Sequence, residues 1–144
     1  MATQFFTPEE QQEIVAAIAN AELNTSGEIR VRIETYCRGN VLRRAAKLFR
    51  RLEMFKTVQR NGVLFYAAIK SRKLAIVGDE GIHLRVEQVF WNELTGKILE
   101  YFAQNQYKEG LISGITAAGE KLKEYFPRQD DDVNELPDEI SFGK

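Results

Sequence analysis

Cysteine and histidine are almost absent from this sequence, which has one of each, Cys37 and His83, among 144 residues. They are too few for the four cysteine and histidine ligands of a structural zinc site, and one cysteine cannot form a disulfide within the chain. The sequence has no plausible Ser-His-Asp order around His83, so a catalytic triad is not expected. Any metal site is therefore expected to use mostly oxygen ligands.

Long apolar runs are absent as well. No stretch approaches the roughly 20 apolar residues that cross a bilayer, and residues 1–6 lack the basic cluster and apolar core of a signal peptide. The glycine motifs that bind nucleotide phosphates are also missing. With its lone cysteine, the chain is predicted to be a cytoplasmic protein without a membrane span.

The net charge is close to zero, because the chain has 20 basic and 21 acidic residues, and this argues against a nucleic-acid-binding protein. The charges are unevenly placed, with +7 over residues 38–60 and −5 over residues 129–144. The basic segment could bind phosphate, an acidic lipid surface or nucleic acid, although a solvated helical face is the commoner explanation. No aromatic residue lies on the arginine face of the helix predicted there, so nucleic acid is an unlikely partner. The acidic segment could also fold back on the basic one.

The residues that are present have the composition of an ordinary globular protein, with 44% hydrophobic and 28% charged residues. We expect a single domain over residues 1–126. The remainder, residues 127–144, is acidic and punctuated by Pro127 and Pro137. It is predicted to be an irregular acidic tail.

Hydrophobic periodicity predicts an α/β fold. A Thr-Pro-Glu-Glu start signal precedes a first helix that runs to about Leu23. Alternation over residues 28–34 predicts a half-buried strand, and residues 41–54 carry the apolar stripe of a second helix. The apolar run at residues 63–69 is typical of a central strand, with residues 74–77 returning as a hairpin. Everything from Ile82 to Phe126 has helical periodicity, so we expect a small mixed sheet with helices packed on it.

The predicted strand directions bring three loops to one edge of the sheet. The βαβ unit makes the first two strands parallel and the hairpin makes the third antiparallel, so the first two begin where the third ends. All three loops contain oxygen ligands, and the third has adjacent carboxylates between two glycines, Gly78-Asp79-Glu80-Gly81. Such a segment can fold around Ca²⁺, which takes roughly six to eight oxygen ligands. The simpler alternative, favoured by spacing alone, is a polar turn in which Asp79 caps the next helix.

A second candidate for calcium lies in the acidic tail. Asp130, Asp132 and Asn134 have the spacing that opens an EF-hand loop. The rest of that motif fails, since Glu135 stands where glycine is needed and Ser141 stands where a bidentate glutamate is needed. Weak calcium binding is therefore the alternative to a solvated tail.

The order and spacing of several segments resemble the TPM domain family. These segments are TSGEIRV at residues 25–31, RNGVL at residues 60–64, LAIVGDEGI at residues 74–82, FW at residues 90–91 and YKEGL at residues 107–111. The resemblance covers about residues 7–126. The sequence DVNELP at residues 132–137 is similar to the tail of a short bacterial subgroup of this family.

That resemblance implies a three-layer α/β/α sandwich and the binding of a divalent cation, Ca²⁺ or Mg²⁺, in an acidic cleft. It assigns the metal site to Asp79 and Glu80, with Asn61 and Glu28 facing them. Plant relatives in thylakoids assist photosystem repair, and acid phosphatase activity has been proposed for them. The predicted function is therefore a cation-binding module with a protein partner. The alternative is a metal-assisted acid phosphatase acting on phosphomonoesters, in which Arg60 would steady the phosphate.

Overall fold

The computed structural model describes residues 5–128 and 136–143. Within these ranges the chain forms five α-helices and four strands. Their bounds are α1 Pro8–Glu22, β1 Glu28–Glu34, α2 Val41–Arg51, β2 Gly62–Ala68, β3 Lys73–Gly78, α3 Glu80–His83, α4 Gln88–Ala103, α5 Tyr107–Tyr125 and β4 Ser141–Phe142. None of the described helices is long and apolar enough to cross a membrane.

The four strands form one mixed sheet in the order β3-β2-β1-β4. β1 and β2 are parallel, with Glu28 opposite Gly62, and β3 runs antiparallel to β2, with Gly78 opposite Val63. The βαβ unit and the hairpin predicted from the sequence are therefore confirmed.

Helices cover both faces of the sheet, which confirms the predicted α/β/α sandwich. Ile29, Val31 and Ile33 of β1 point into the larger core, where they meet α1, α4 and α5. On the other face, Tyr66 of β2 packs in a second core with Leu48 of α2. All seven residues of β2 are buried, which explains why its sequence is continuously apolar.

Two helix boundaries differ from the sequence prediction. α2 ends at Arg51 and not near Met54, because Glu53 adopts a left-handed φ of 58° and a short 3-10 turn follows. The helical stretch predicted from Ile82 onward is split into the single turn of α3 and the long helix α4, which begins only at Gln88. Apolar periodicity continues across both breaks and therefore cannot reveal them.

β4 corrects the prediction of an irregular tail. Ser141 and Phe142 pair in parallel with Arg32 and Ile33 at the open edge of β1. The Gly143 N–H donates to the Ile33 carbonyl oxygen at 2.8 Å, and Arg32 Nη1 donates to Ser141 Oγ at 2.9 Å. Two residues are too few for alternation to indicate a strand, so β4 is not predictable from the sequence pattern.

Candidate functional site

The three loops predicted to converge do meet at one edge of the sheet, where β1 and β2 begin and β3 ends. The Glu28 N–H donates to the Asn61 carbonyl oxygen at 3.3 Å, and the Asp79 N–H donates to the Gly62 carbonyl oxygen at 3.0 Å. Glu28, Asn61 and Asp79 are all buried, with 2%, 1% and 6% of their surfaces exposed. This edge therefore concentrates polar side chains that are rarely buried in proteins.

Asp79 and Glu80 both form ion pairs with the side chain of Arg60. Its Nε and Nη2 donate to the two Asp79 carboxylate oxygens at 2.7 and 2.9 Å, and Nη1 donates to Glu80 Oε1 at 3.2 Å. Asp79 Oδ1 also accepts the Glu80 N–H at 2.8 Å and so caps α3, as in the polar-turn alternative. The hydrogen bonds with Asp79 raise the pKa of the Arg60 guanidinium. A metal ion at Asp79 would have to displace Arg60 or lie beside its charge.

An unusual backbone conformation at Arg60 and a close approach by Gly81 accompany this ion pair. Arg60 has a left-handed φ of 52°, which costs a residue with a Cβ roughly 1–2 kcal/mol. The Gly81 N–H donates to the Arg60 carbonyl oxygen at 2.9 Å. A Cβ on Gly81 would lie 2.6 Å from that oxygen, so only glycine allows α3 to approach this closely.

Glu28 and Asn61 have different partners. Glu28 Oε1 accepts the N–H of Leu136, which lies in the C-terminal segment. The Asn61 N–H donates to Thr57 Oγ1 at 3.0 Å, and Asn61 Nδ2 donates to Ser26 Oγ at 3.2 Å. Asn61 Oδ1 is buried and accepts no hydrogen bond from the described residues. Because a buried acceptor without a donor costs about 1–3 kcal/mol, this oxygen is suited to receive a ligand.

A cleft of about 290 Å³ opens beside Ser26 and Glu28, and Glu22 and Asp138 also line it. Glu22 is buried in the last turn of α1, where its Oε2 accepts the Ile29 N–H at 2.8 Å. Burial, followed by the hydrogen bond with Asp138, raises the pKa of Glu22 to about 9, and the charges of Asp138 and Glu28 act in the same direction. Three carboxyl groups therefore gather in the cleft, and two of them are hydrogen-bonded to each other.

Glu22 and Asp138 were not predicted from the sequence. Glu22 follows Ile14 and Ile18 at intervals of four residues on the buried face of α1. A carboxylate that continues an apolar stripe was the signal that could have identified it. Asp138 has no such signal, because it is one of several acidic residues in the C-terminal segment and reaches the cleft only through the tertiary fold.

The cleft contains oxygen atoms that can bind a metal ion but, among the described residues, not a ready-made group of three metal-binding side chains. In residues 5–128 and 136–143, no three Asp, Glu, His or Cys side chains are grouped closely enough to hold an ion. The oxygen ligands in the cleft are those of the Glu22–Asp138 pair and the Glu28 carboxylate. Asn61 lies behind the cleft wall, where its Nδ2 donates to Ser26 Oγ. Carboxylate, amide and hydroxyl oxygens are ligands for Ca²⁺ and Mg²⁺, so the donor set fits a hard cation.

The other candidate residues lie apart from the cleft. His83 is exposed in α3, whereas the Cys37 thiol is buried near α2. The alternative calcium motif of Asp130, Asp132 and Asn134 lies outside the described residues, so it stays a prediction.

A second ionic cluster surrounds Glu34 at the opposite end of β1. Its carboxylate accepts hydrogen bonds from Arg32 Nη2 at 2.8 Å, from Arg44 Nη2 at 2.7 Å and from the Tyr66 hydroxyl at 2.7 Å. Burial acts to raise the pKa of Glu34, but these hydrogen bonds outweigh it and lower the pKa to about 2. The cluster joins β1, α2 and β2, and we assign it a structural role.

Known proteins resemble this chain in both sequence and fold. The family model of the TPM domain matches residues 2–121. The NMR structure of the BA42 protein from the psychrophilic bacterium Bizionia argentinensis is 45% identical, with a TM-score of 0.90 over 96% of each chain. The solution NMR structure of the N-terminal domain of the cg2496 protein from Corynebacterium glutamicum is 12% identical. It has a TM-score of 0.65 over 81% of this chain and 74% of that chain, which shows similarity of fold alone.

No curated protein sequence matches the chain. The family model nevertheless covers most of it, from residue 2 to residue 121. The resemblance first indicated by the motifs around Gly27, Asn61 and Asp79 is confirmed by this match. The chain belongs to the TPM domain family.

Proposed function

We propose that this TPM domain binds a divalent cation, Ca²⁺ or Mg²⁺, in the cleft beside β1, and that it acts as a binding module for a protein partner. The observation that carries the proposal is that Glu22, Glu28 and Asp138 line one cleft, where a cation would draw them closer together than they stand without it. Next to it, the buried Asn61 Oδ1 accepts no hydrogen bond from the described residues. Together these groups would supply a hard cation with oxygen ligands, and water would complete its coordination shell.

The electrostatics of the cleft favour a cation. Carboxylates that share a site repel one another, so at least one of them is neutralised unless a positive charge is near. The hydrogen bond between Glu22 and Asp138 removes the repulsion between these two groups, because they share a proton. The basic residue lining the cleft, Arg128, donates from Nη1 to the Glu22 carbonyl oxygen at 3.4 Å. With a pKa of about 9, Glu22 is protonated at neutral pH, and a divalent ion that displaced this proton would hold all three carboxylates together.

The four residues assigned by the family resemblance divide into two pairs in this proposal. Glu28 and Asn61 belong to the proposed cation site. Glu28 lines the cleft, and Asn61 is hydrogen-bonded to Ser26, which also lines it. Asp79 and Glu80 are bound to Arg60 and support the loop that carries Asn61. Their contribution to cation binding is therefore indirect.

Calorimetric titration with Ca²⁺ and with Mg²⁺ tests this assignment. In the double variant Glu22→Gln/Asp138→Asn, we expect the affinity to fall by at least the roughly tenfold loss that changes around a metal site typically cause. The matched control is Glu93→Gln/Glu100→Gln, which also replaces two carboxyl groups by amides, at exposed positions of α4, and should leave the affinity unchanged. Equal affinities for the two double variants would refute the location, and a wild type that binds neither ion would refute the function.

The alternative function, a metal-assisted acid phosphatase, receives less support from the geometry. It needs a group that steadies the phosphate and a water or side chain that attacks it. Arg60, the residue expected to steady the phosphate, already binds Asp79 and Glu80. Hydrolysis of a phosphomonoester by the wild type that disappears in Asp79→Ala would restore this alternative.

A further inference from the structure

The outward face of α2 has a row of three cations, Arg43, Lys47 and Arg50. Their spacing of four and then three residues places them along one side of a helix. All three are exposed, while Ala45 and Leu48 on the opposite side are buried. Within the described ranges, none of the three forms an ion pair. The row therefore presents charge that the described structure does not neutralise.

Neighbouring residues add to the positive charge of this row. Arg38 and Arg51 are exposed on either side of it and form no ion pair with the described residues. The only acidic residue of the basic segment, Glu53, is paired with Lys56 at 2.9 Å. The surface is therefore cationic over the whole length of α2.

Large apolar side chains are exposed close to the row along the chain. Leu42, in the first turn of α2, is 59% exposed, and Phe55 and Val58, in the segment after α2, are 40% and 88% exposed. Cationic side chains combined with exposed apolar ones are typical of surfaces that lie in the headgroup region of an anionic membrane.

We propose that this face of α2 docks on an anionic lipid surface. Arg43, Lys47 and Arg50 contact the lipid phosphates and carboxylates, and Leu42 and Val58 enter the interface beside them. The basic segment has a charge of +7 in a chain whose total is −1, so the rest of the molecule is acidic and is repelled by the same surface. This asymmetry fixes which side of the domain faces the lipid.

The shape and composition of the face favour lipid over other polyanions. An extended acidic peptide is usually held in a groove or at a strand edge. Both the cleft beside β1 and the groove of about 450 Å³ between α1 and α5 lack lining residues from α2. Nucleic acid is disfavoured because no exposed aromatic side chain is interleaved with the three cations of the row, and the exposed Phe55 after α2 offers only one ring on which a base could stack. A bilayer surface suits an exposed row of cations on one helix face with exposed apolar side chains close to it along the chain.

Vesicle co-sedimentation of the full chain tests the proposal. The vesicles are phosphatidylcholine with one third phosphatidylserine, compared with phosphatidylcholine alone, in low salt and without added divalent ions. We expect binding to the anionic vesicles only, weakened by salt, and a loss of about a hundredfold in partition coefficient for Arg43→Glu/Lys47→Glu/Arg50→Glu. The matched control, Arg72→Glu/Lys97→Glu/Lys123→Glu, makes the same charge change at exposed positions elsewhere and should lose far less.

Several outcomes would overturn the proposal. One is equal binding of the wild type to neutral and anionic vesicles, and another is an equal loss of binding in the two triple variants. The third is a wild type that binds polyglutamate or an oligonucleotide but no vesicles. A second variant, Leu42→Ser/Val58→Ser, separates the apolar contribution and leaves every charge in place. We expect it to bind the anionic vesicles several-fold more weakly, and unchanged binding would remove the insertion of these side chains from the proposal. Amide NMR spectra confirm that each variant is folded.

Discussion

Glu34 shows how one residue can tie three secondary-structure elements together. Burial alone would raise its pKa, but donors from β1, α2 and β2 lower it from 4.5 to about 2. A carboxylate whose pKa is lower in the folded state stabilises the fold above its unfolded pKa. That contribution is lost as the pH falls toward the folded value.

We therefore expect the free energy of unfolding to decrease as the pH falls from 4.5 to about 2, partly through Glu34. Urea denaturation at a series of pH values, with Glu34→Gln as comparison, measures this contribution, because the variant should show a shallower dependence. Tyr66→Phe keeps the carboxylate and removes one donor, and should cost about 2 kcal/mol at neutral pH. It provides a test of the same cluster if Glu34→Gln does not fold. Parallel pH profiles for wild type and Glu34→Gln would contradict the assignment.

The roles of single residues were only partly predictable from the sequence. Asp79 was recognisable as a helix cap, because capping depends on neighbours in the chain. Its ion pair with Arg60 was not, because it depends on the left-handed turn at Arg60 and on the close approach of Gly81. The burial of Glu22 had one signal, its position on the apolar stripe of α1, but a polar residue at the end of a helix is usually solvated.

Among the elements, α1 and α5 pack closely at Gly119. A Cβ there would lie 2.7 Å from the Cβ and 3.0 Å from the Cα of Ala21. We expect Gly119→Ala to lower the free energy of unfolding by about 1–3 kcal/mol, because the two helices must move apart. Gly96→Ala in α4 is the control: its Cβ would meet no described atom within 4 Å, so it should stabilise the helix by about 0.5–1 kcal/mol. Thermal unfolding of both variants measures the difference, and destabilisation by both would contradict this account.

The C-terminal segment links β4 to the cleft. Ending the chain at residue 135 removes the hydrogen bond from the Leu136 N–H to Glu28, the Asp138 carboxylate and β4 itself. We expect this truncation to weaken Ca²⁺ binding and to lower the free energy of unfolding by about 2 kcal/mol for the buried Leu136 alone. Ser141→Ala removes only the bond from Arg32, so it should cost about 1 kcal/mol and leave Ca²⁺ affinity unchanged. Calorimetry and urea denaturation measure both quantities, and a truncated chain with wild-type affinity would exclude Asp138 as a ligand.

For the whole molecule, the layers and strand directions were predictable and the cleft was not. The sandwich follows from local periodicity and from the handedness rule for βαβ units. The cleft depends on contacts between distant parts of the chain, such as Glu28 with Leu136, which are 108 residues apart. β4 has two residues, too few for a periodic signal. The sequence therefore indicated the edge of the sheet at which the three loops meet, but only part of the cleft that lies there.

The proposed binding of a divalent cation in the cleft lined by Glu22, Glu28 and Asp138 is tested most directly by Ca²⁺ titration followed by backbone amide NMR. We predict saturable shifts confined to the end of α1, the start of β1, the amide of Asn61 and residues 136–139. Only small shifts are expected for the loop of Asp79. The absence of localised shifts at millimolar Ca²⁺, or shifts centred on Asp79 with the cleft unchanged, would contradict the claim.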